Sequence, residues 1–385
     1  MRMPLIKHAR RAQPSREPTI EAFCNAPSAP VSRFMAVYTE VAFDEAQALI
    51  QSMGLGQLTA LKACSGGIEN TNYFITVLHG GEPHDFVLTL FERLNAEQLP
   101  FYLRLVRHLA RAGLPVPDPA ADLQGRMLQS LKGKPTAVVE MLAGHSELSP
   151  MASHCAMLGA VQARMHLAAR DFELRQPHLR GLDWWNQTAP QVMPFLDRAQ
   201  SRLLSSELAY QNHVAQSSAY AALPKGPVHA DLFRDNVMFA GSGKDLKLTG
   251  VFDFYFAGVD CWLFDLAVAL NDWCVDLATG QHDEARARSL LAAYAQERPL
   301  IAQERLLFNA MLRAAALRFW ISRLWDLHLP RAASLLKAHD PAHFERVLRQ
   351  RIEHPVRLAQ ERFASSAGDS SREEREAANM EAMPA

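Results

Sequence analysis

The stretch Val228–Phe239, VHADLFRDNVMF, read with Leu248–Asp265, LTGVFDFYFAGVDCWLFD, decides how the rest of the chain is understood. Two apolar runs of strand character frame a polar loop, and Asp231, Asn236 and Asp253 fall at set intervals within it. Asp231 and Asn236 stand in the order D-x-x-x-x-N. A carboxylate so placed can accept the proton of an attacking hydroxyl while the amide oxygen reaches a cation. Asp253 lies in the short apolar strand VFDF, where a carboxylate is costly unless it is paired or bound to metal. Asn236 and Asp253 are therefore candidate ligands of a hard cation such as Mg2+, which keeps some waters and takes its other ligands from phosphate oxygens. A lone D-x-x-x-x-N is commonly no more than turn chemistry, because Asp and Asn side chains bond nearby backbone groups. His229 before it, apolar strands on either side and the second carboxylate strand after it favour a catalytic loop with Asp231 as the base.

The chain has 385 residues, 49% of them hydrophobic, enough for one or two domains with buried cores. Forty basic against 41 acidic residues leave a net charge of -1, which argues against an extended nucleic-acid footprint. The five cysteines (Cys24, Cys64, Cys155, Cys261, Cys274) are scattered and never form a C-x-x-C pair. They read as reduced thiols of a cytoplasmic protein, not as a zinc site or a disulfide framework. No apolar run approaches the roughly 20 residues that span a bilayer. Residues 1–34 are rich in Arg, Pro, Ser and Ala, and no apolar segment follows their basic residues, so a secretory signal is not indicated. They read as a disordered extension, or as a start assigned upstream of a true first residue at Met35, and residues 361–385 read as a disordered tail.

Ordered structure is expected from near Tyr38. Thr39–Met53 has helical apolar spacing, closed by Gly54 and Gly56. Leu58–Cys64, Asn72–Leu78 and Asp85–Phe91 read as strands, joined by CSGGIEN and by the turn HGGEPH. Asn95–Ala112 reads as an amphipathic helix, LPVPDP must be extended, and Gly125–Leu128 and Pro135–Met141 are further strands. After Gly144 the pattern turns helical: Met151–Arg170, two helices in Trp184–Ala222 broken near Asn212, then Trp262–Thr279, Asp283–Gln296, Leu300–Leu327 and Pro341–Ala359. The fold class is α+β, with a strand-rich N-lobe over residues 35–142, a mainly helical C-lobe over 143–360, and Glu140–Gly144 as connector.

H-x-D-x-x-x-x-N, an apolar-Asp strand and then GVDCWLFDLA resemble the aminoglycoside phosphotransferase and choline kinase superfamily, relatives of the protein kinases. The resemblance implies a bilobal protein kinase-like fold with a small antiparallel-sheet N-lobe. It also implies Asp231 as catalytic base, and Asn236 and Asp253 holding Mg2+ beside ATP. Asp260 and Asp265 match the pattern G-x-D-x-x-x-x-D-L-A. Asp265 is expected to be structural, capping or anchoring a helix that begins near Trp262, where unpaired N–H groups favour a carboxylate. SGGIENTNYF, FVLTLFERL, HADLFRDN and LNDWC, in that order between Met35 and residue 355, resemble the homoserine kinase branch of the superfamily. That branch implies transfer of the ATP γ-phosphoryl group to the side-chain hydroxyl of L-homoserine, in threonine biosynthesis, with no nucleic-acid or membrane partner. Choline, methylthioribose, hydroxylysine or an aminoglycoside as acceptor, and a nucleotide-binding pseudokinase, are the alternatives.

The backbone N–H groups of Ser65, Gly66 and Gly67 lie between two strands and can fold over ATP phosphates, although a plain Gly-Gly hairpin turn has the same composition. The superfamily usually carries a lysine on the third N-lobe strand, and here VLTLFE places Thr89 instead. Lys62, Arg93, Lys132 and Lys134 are the candidate substitutes, each also readable as a surface charge, and Glu97 stands where the lysine's partner is expected. Glu140 to Leu142 resembles the hinge whose backbone bonds adenine. Homoserine presents a carboxylate and an ammonium, so its site calls for an Arg and an acidic residue; Asp272, Asp276, Arg318 and Arg323 are candidates, with Trp273 as a wall. Arg318 and Arg323, five apart on one helix, are expected to face different ways. Trp184, Trp185, Trp262, Trp320 and Trp325 read as packing residues.

Overall fold

The computed structural model describes residues 39–64, 70–329 and 339–358. The expected phosphate loop at Ser65, Gly66 and Gly67, the extension 1–34 and the tail 361–385 lie outside the described residues.

Strands β1 (Gln57–Ala63), β2 (Asn70–His79), β3 (Glu82–Phe91), β4 (Gln129–Leu131) and β5 (Lys134–Glu140) form one antiparallel sheet in the order β1-β2-β3-β5-β4. Side chains alternate across it with period two. One face carries Tyr73, Ile75, Val77, Leu88, Leu90 and Val138, packed on Ala46, Leu49 and Ile50 of helix α1 (Phe43–Ser52). Glu45 reaches back to the Ala42 N–H at 2.9 Å, so α1 begins at Phe43 and not at Thr39. The opposite face aligns Phe74 with Lys62 and Val87, and Thr89 with Asn72 and Ala137. That face looks to the helical lobe: Phe91 meets Tyr255 edge to face, ring centroids 4.9 Å apart.

Helix α2 (Leu99–Arg111) starts later than its apolar pattern suggested. The Asn95 side chain accepts the N–H groups of Glu97 and Gln98, which makes a separate turn ahead of the helix. The connector leads to β6 (His145–Ser146) through Gly144 at φ 120°, where a Cβ would stand 2.5 Å from the Phe239 carbonyl oxygen. Glycine is required there on both counts.

The helical lobe follows as α3 (Ala152–Ala168), α4 (Leu182–Val192), α5 (Arg198–Ala215) and α6 (Ser218–Ala221). Helix α5 runs unbroken through Asn212, whose amide bonds the Leu208 carbonyl and Asn186. The break falls earlier, at Asp197, which caps α5 by accepting from the N–H groups of Ala199 and Gln200. Strands β7 (Lys225–Val228), β8 (Val237–Ala240), β9 (Lys247–Val251) and β10 (Gly258–Cys261) pair as β7 with β10 and as β6-β8-β9, framing the loop 229–236. Then come α7 (Trp262–Trp273), α8 (Glu284–Glu297), α9 (Ala302–Leu306), α10 (Phe308–His328) and α11 (Ala342–Glu353). Helix α7 is shorter than the expected Trp262–Thr279, because Asp276 takes the N–H groups of Ala278 and Thr279 in a turn of its own. All of its residues are buried, so it forms the axis of the lobe. Among the described residues no helix is long and apolar enough to cross a membrane.

Helices α3 and α8 cross at Gly159, where a Cβ would lie 2.1 Å from the backbone oxygen of Leu290. The three nearest atoms are all backbone of Leu290 and cannot yield. Gly159→Ala is therefore expected to cost about 1–3 kcal/mol through overpacking, read as a lowered urea midpoint at unchanged slope. A midpoint equal to wild type would show that the two helices do not cross this closely.

Candidate active site

The loop between β7 and β8 is held by α7 from behind. Ala230 adopts φ 64°, a left-handed conformation that costs a non-glycine residue about 1 kcal/mol or more. Its N–H donates to Oδ1 of Asp265 at 2.6 Å. The other oxygen of Asp265 accepts from Nε2 of Gln162 at 3.0 Å and Nε2 of His166 at 2.9 Å, both on α3. Burial works to raise the Asp265 pKa, but the hydrogen bond and charge of His166 outweigh it and hold the carboxyl at about 2. The expectation that Asp265 is structural holds, but it braces the catalytic loop and does not cap its own helix. Seven residues on, two helical turns along the same face, Oδ2 of Asp272 accepts from Arg234 N at 2.8 Å and Nε at 3.0 Å. The Trp273 indole N–H donates to the Leu232 carbonyl at 3.0 Å. One helix thus fixes the loop at three points.

Within the loop, Nδ2 of Asn236 donates to the Asp231 carbonyl at 2.8 Å and approaches Oδ2 of Asp231 at 3.3 Å. This commits the amide nitrogen to Asp231 and leaves the amide oxygen as the group that can meet a cation. His229 donates from Nε2 to the Phe252 carbonyl at 2.9 Å and accepts at Nδ1 from the Asp231 N–H at 3.2 Å. Burial pushes its pKa down, in keeping with that neutral tautomer. Phe252 in turn donates its N–H to the Asn236 carbonyl at 3.1 Å, so Asp253 follows directly on a residue tied to both His229 and Asn236. Asp253 is exposed and sits at φ 64°. Among the described residues no cluster of three or more His, Cys, Asp or Glu side chains could hold a metal. An Asn oxygen and one carboxylate are the donor set of a hard cation that draws its remaining ligands from phosphate and water.

Nη1 of Arg318 lies 3.8 Å from Oδ1 of Asp231, with Arg318 only 2% exposed and its guanidinium 3.7 Å over the Phe319 ring. Burial pushes the Arg323 guanidinium down, against the pull of Asp272, Asp231, Asp340 and Asp235. A five-residue step turns the two arginines about 140° apart on the helix, and of the two it is Arg318 whose guanidinium approaches the Asp231 carboxylate, while Arg323 lies over the Phe344 ring and donates to the Asp340 carbonyl. Trp273 is not a wall of this space: it is fully buried behind the loop, packed on Phe239. Asp276 is also removed from it, in the turn that ends α7. Asp272 is placed at the loop, with one oxygen given to Arg234.

On the sheet side, Thr89 is 3% exposed and donates to Oδ1 of Asn72 at 2.7 Å. Its side chain also hydrogen-bonds Tyr255, two residues past Asp253, whose hydroxyl pKa is pushed well up by burial and by the Asp253 charge. The position where a lysine was expected is thus a polar bracket between the sheet and the Asp253 turn. Glu97 is exposed in the turn before α2 and is no lysine partner. In the connector, the N–H of Glu140 donates to the Asp118 carbonyl at 3.1 Å and that of Met141 to the Asp85 carbonyl at 3.2 Å. Gln162, His166, Arg234 and Tyr255 went unnoticed in the sequence, since each is a single polar residue in an apolar or turn context with no spacing to mark it.

The phosphotransferase enzyme family profile matches residues 60–300. A homoserine kinase of Polaromonas naphthalenivorans (strain CJ2) is 59% identical over 324 residues, covering 84% of this chain and 100% of the relative. One of Janthinobacterium sp. (strain Marseille) is 54% identical over 319 residues, covering 83% and 97%. Among solved structures, the amicoumacin kinase hAmiN in complex with AMP-PNP, Ca2+ and Ami superposes with a TM-score of 0.59 at 17% identity, covering 80% of this chain and 92% of that one. The choline kinase of Cryptosporidium parvum Iowa II gives 0.51 at 12% identity, covering 76% and 89%. These last two show a shared fold.

The Asp265 carboxyl, at about 2 in the folded chain against an ordinary 3.8, contributes stability that is fully present above about pH 4 and lost as pH falls toward 2. Asp265→Asn is expected to lower stability by about 2 kcal/mol at neutral pH, with the gap to wild type closing over that acid range. Urea unfolding between pH 2 and 7 reads it, and a gap that does not change with pH would contradict the lowered carboxyl pKa.

Proposed function

The chain belongs to the phosphotransferase enzyme family, and from that premise we propose that it transfers the γ-phosphoryl group of ATP to the side-chain hydroxyl of L-homoserine. The substrate rests on relatives named homoserine kinase that align over nearly their whole length. The chemistry rests on one observation: Asp231, backed by Asn236 and faced by Arg318, stands on a loop that α7 holds rigid.

In this reading Asp231 orients the acceptor hydroxyl and takes its proton. Asn236 and Asp253 would hold Mg2+, which would supply charge neutralisation to the nucleotide's phosphates. Leu142, in the connector, offers backbone to the adenine edge. Little covalent help is needed in phosphoryl transfer, so positioning carries most of the rate. The surroundings of Asp231 also favour a zwitterionic acceptor. Arg318 and Arg323 suit a carboxylate, and Asp272 suits an ammonium. Choline or an aminoglycoside has no carboxylate to offer the two arginines. The buried thiols Cys155, Cys261 and Cys274 suit the reducing cytoplasm we propose as its setting.

Coupled ADP release is expected with homoserine at a kcat/KM well above serine, threonine, choline and an aminoglycoside. Asp231→Asn should cut turnover by about a hundredfold or more while nucleotide binding survives, and Asp253→Ala should abolish Mg2+-dependent turnover. Release that favours another acceptor would overturn the substrate. Turnover that survives Asp231→Asn would remove Asp231 as base.

A further inference from the structure

The phosphates of a nucleotide carry negative charge that a basic side chain of the sheet can meet, and Thr89, hydrogen-bonded to Asn72 and Tyr255, offers none. The four basic candidates in and beside the sheet, Lys62, Arg93, Lys132 and Lys134, can be sorted by position. Lys134 extends from the α1 face to Glu92 and the Thr39 hydroxyl, away from the helical lobe. Lys132, in the turn between β4 and β5, pairs with Glu45 of α1 on that same side. Arg93 lies past the end of β3 and is already engaged.

Lys62 differs from all three. In β1 it stands opposite Phe74, which stands opposite Val87 on β3, and Val87 shares its face with Thr89 two residues on. Its strand neighbours Leu61 and Ala63 turn the other way, into the core under α1. Among the described strand residues Lys62 is the one lysine or arginine on the face that looks to Asp253 and Tyr255. It is exposed, so its ammonium meets a ligand in that cleft without first breaking a buried pair. We propose that Lys62 of β1 contacts the phosphate tail of the bound nucleotide, the cation having moved across the sheet from β3 to β1. Two strand spacings, about 10 Å, separate the two positions, so the contact comes from the β1 side of the tail. The proposal rests on the phosphotransferase reading.

Equilibrium binding of ADP and of adenosine separates the two. Wild-type binding of ADP and homoserine-dependent turnover test the phosphotransferase reading alone. Lys62→Ala is expected to weaken ADP about tenfold, as loss of one charged phosphate contact, while adenosine binds as before. Lys62→Arg should bind ADP nearly as wild type, and Lys244→Ala, in the exposed turn between β8 and β9, should change nothing. ADP affinity unchanged in Lys62→Ala, or ADP and adenosine weakened alike, would overturn the role of Lys62 even where wild type phosphorylates homoserine.

Discussion

The bond from the Ala230 N–H to the Asp265 carboxylate, 2.6 Å long and sealed from water, is the constraint on which the site depends. A left-handed alanine is unfavourable by itself and would relax to an extended loop. The buried charge that pulls its N–H inward is unfavourable too, unless its own oxygens are satisfied. Each of the two resolves the other. The charge is then completed by His166, whose ring lies 5.5 Å from Trp262 in a parallel stack and bonds the Tyr294 hydroxyl at 2.8 Å. Through these contacts α3, α7 and α8 set the backbone of the residue next to Asp231. Asp231 is thereby oriented by buried elements behind the loop.

The same logic extends along α7. Asp265, Asp272 and Trp273 meet the loop at Ala230, Arg234 and Leu232, so a rigid buried helix is copied into the path of a polar loop. On the other side His229 ties the loop to the Asp253 turn, and Tyr255 ties that turn to Thr89 on the sheet. The two carboxylates, Asp231 and Asp253, are thus linked to each other and to both lobes by short chains of hydrogen bonds. Such networks are rigid when fully satisfied. The two arginines proposed for the acceptor are different in kind: Arg318 lies over Phe319 and Arg323 over Phe344, where orientation comes from stacking.

Much of this was legible in the sequence because the informative signals are local. D-x-x-x-x-N, an Asp inside an apolar strand and a strand-rich half followed by a helical half are patterns within one window, and they led to the α+β bilobal fold. What escaped was long-range. His166 meets Asp265 across 99 residues of chain, and no spacing along a helix announces that. Trp273 was placed in a pocket because aromatic residues near charged ones suggest a wall, yet burial put it behind the loop. Helix ends were misjudged at Asp197 and Asp276 because side-chain caps override apolar periodicity.

The central claim, that this held loop presents Asp231 to the hydroxyl of homoserine, is tested most directly by a crystal structure with a non-hydrolysable ATP analogue, Mg2+ and homoserine bound. The account predicts the homoserine hydroxyl within about 3 Å of the Asp231 carboxylate and facing the γ-phosphate. A hydroxyl held instead by another side chain, with Asp231 out of hydrogen-bond reach, would contradict it.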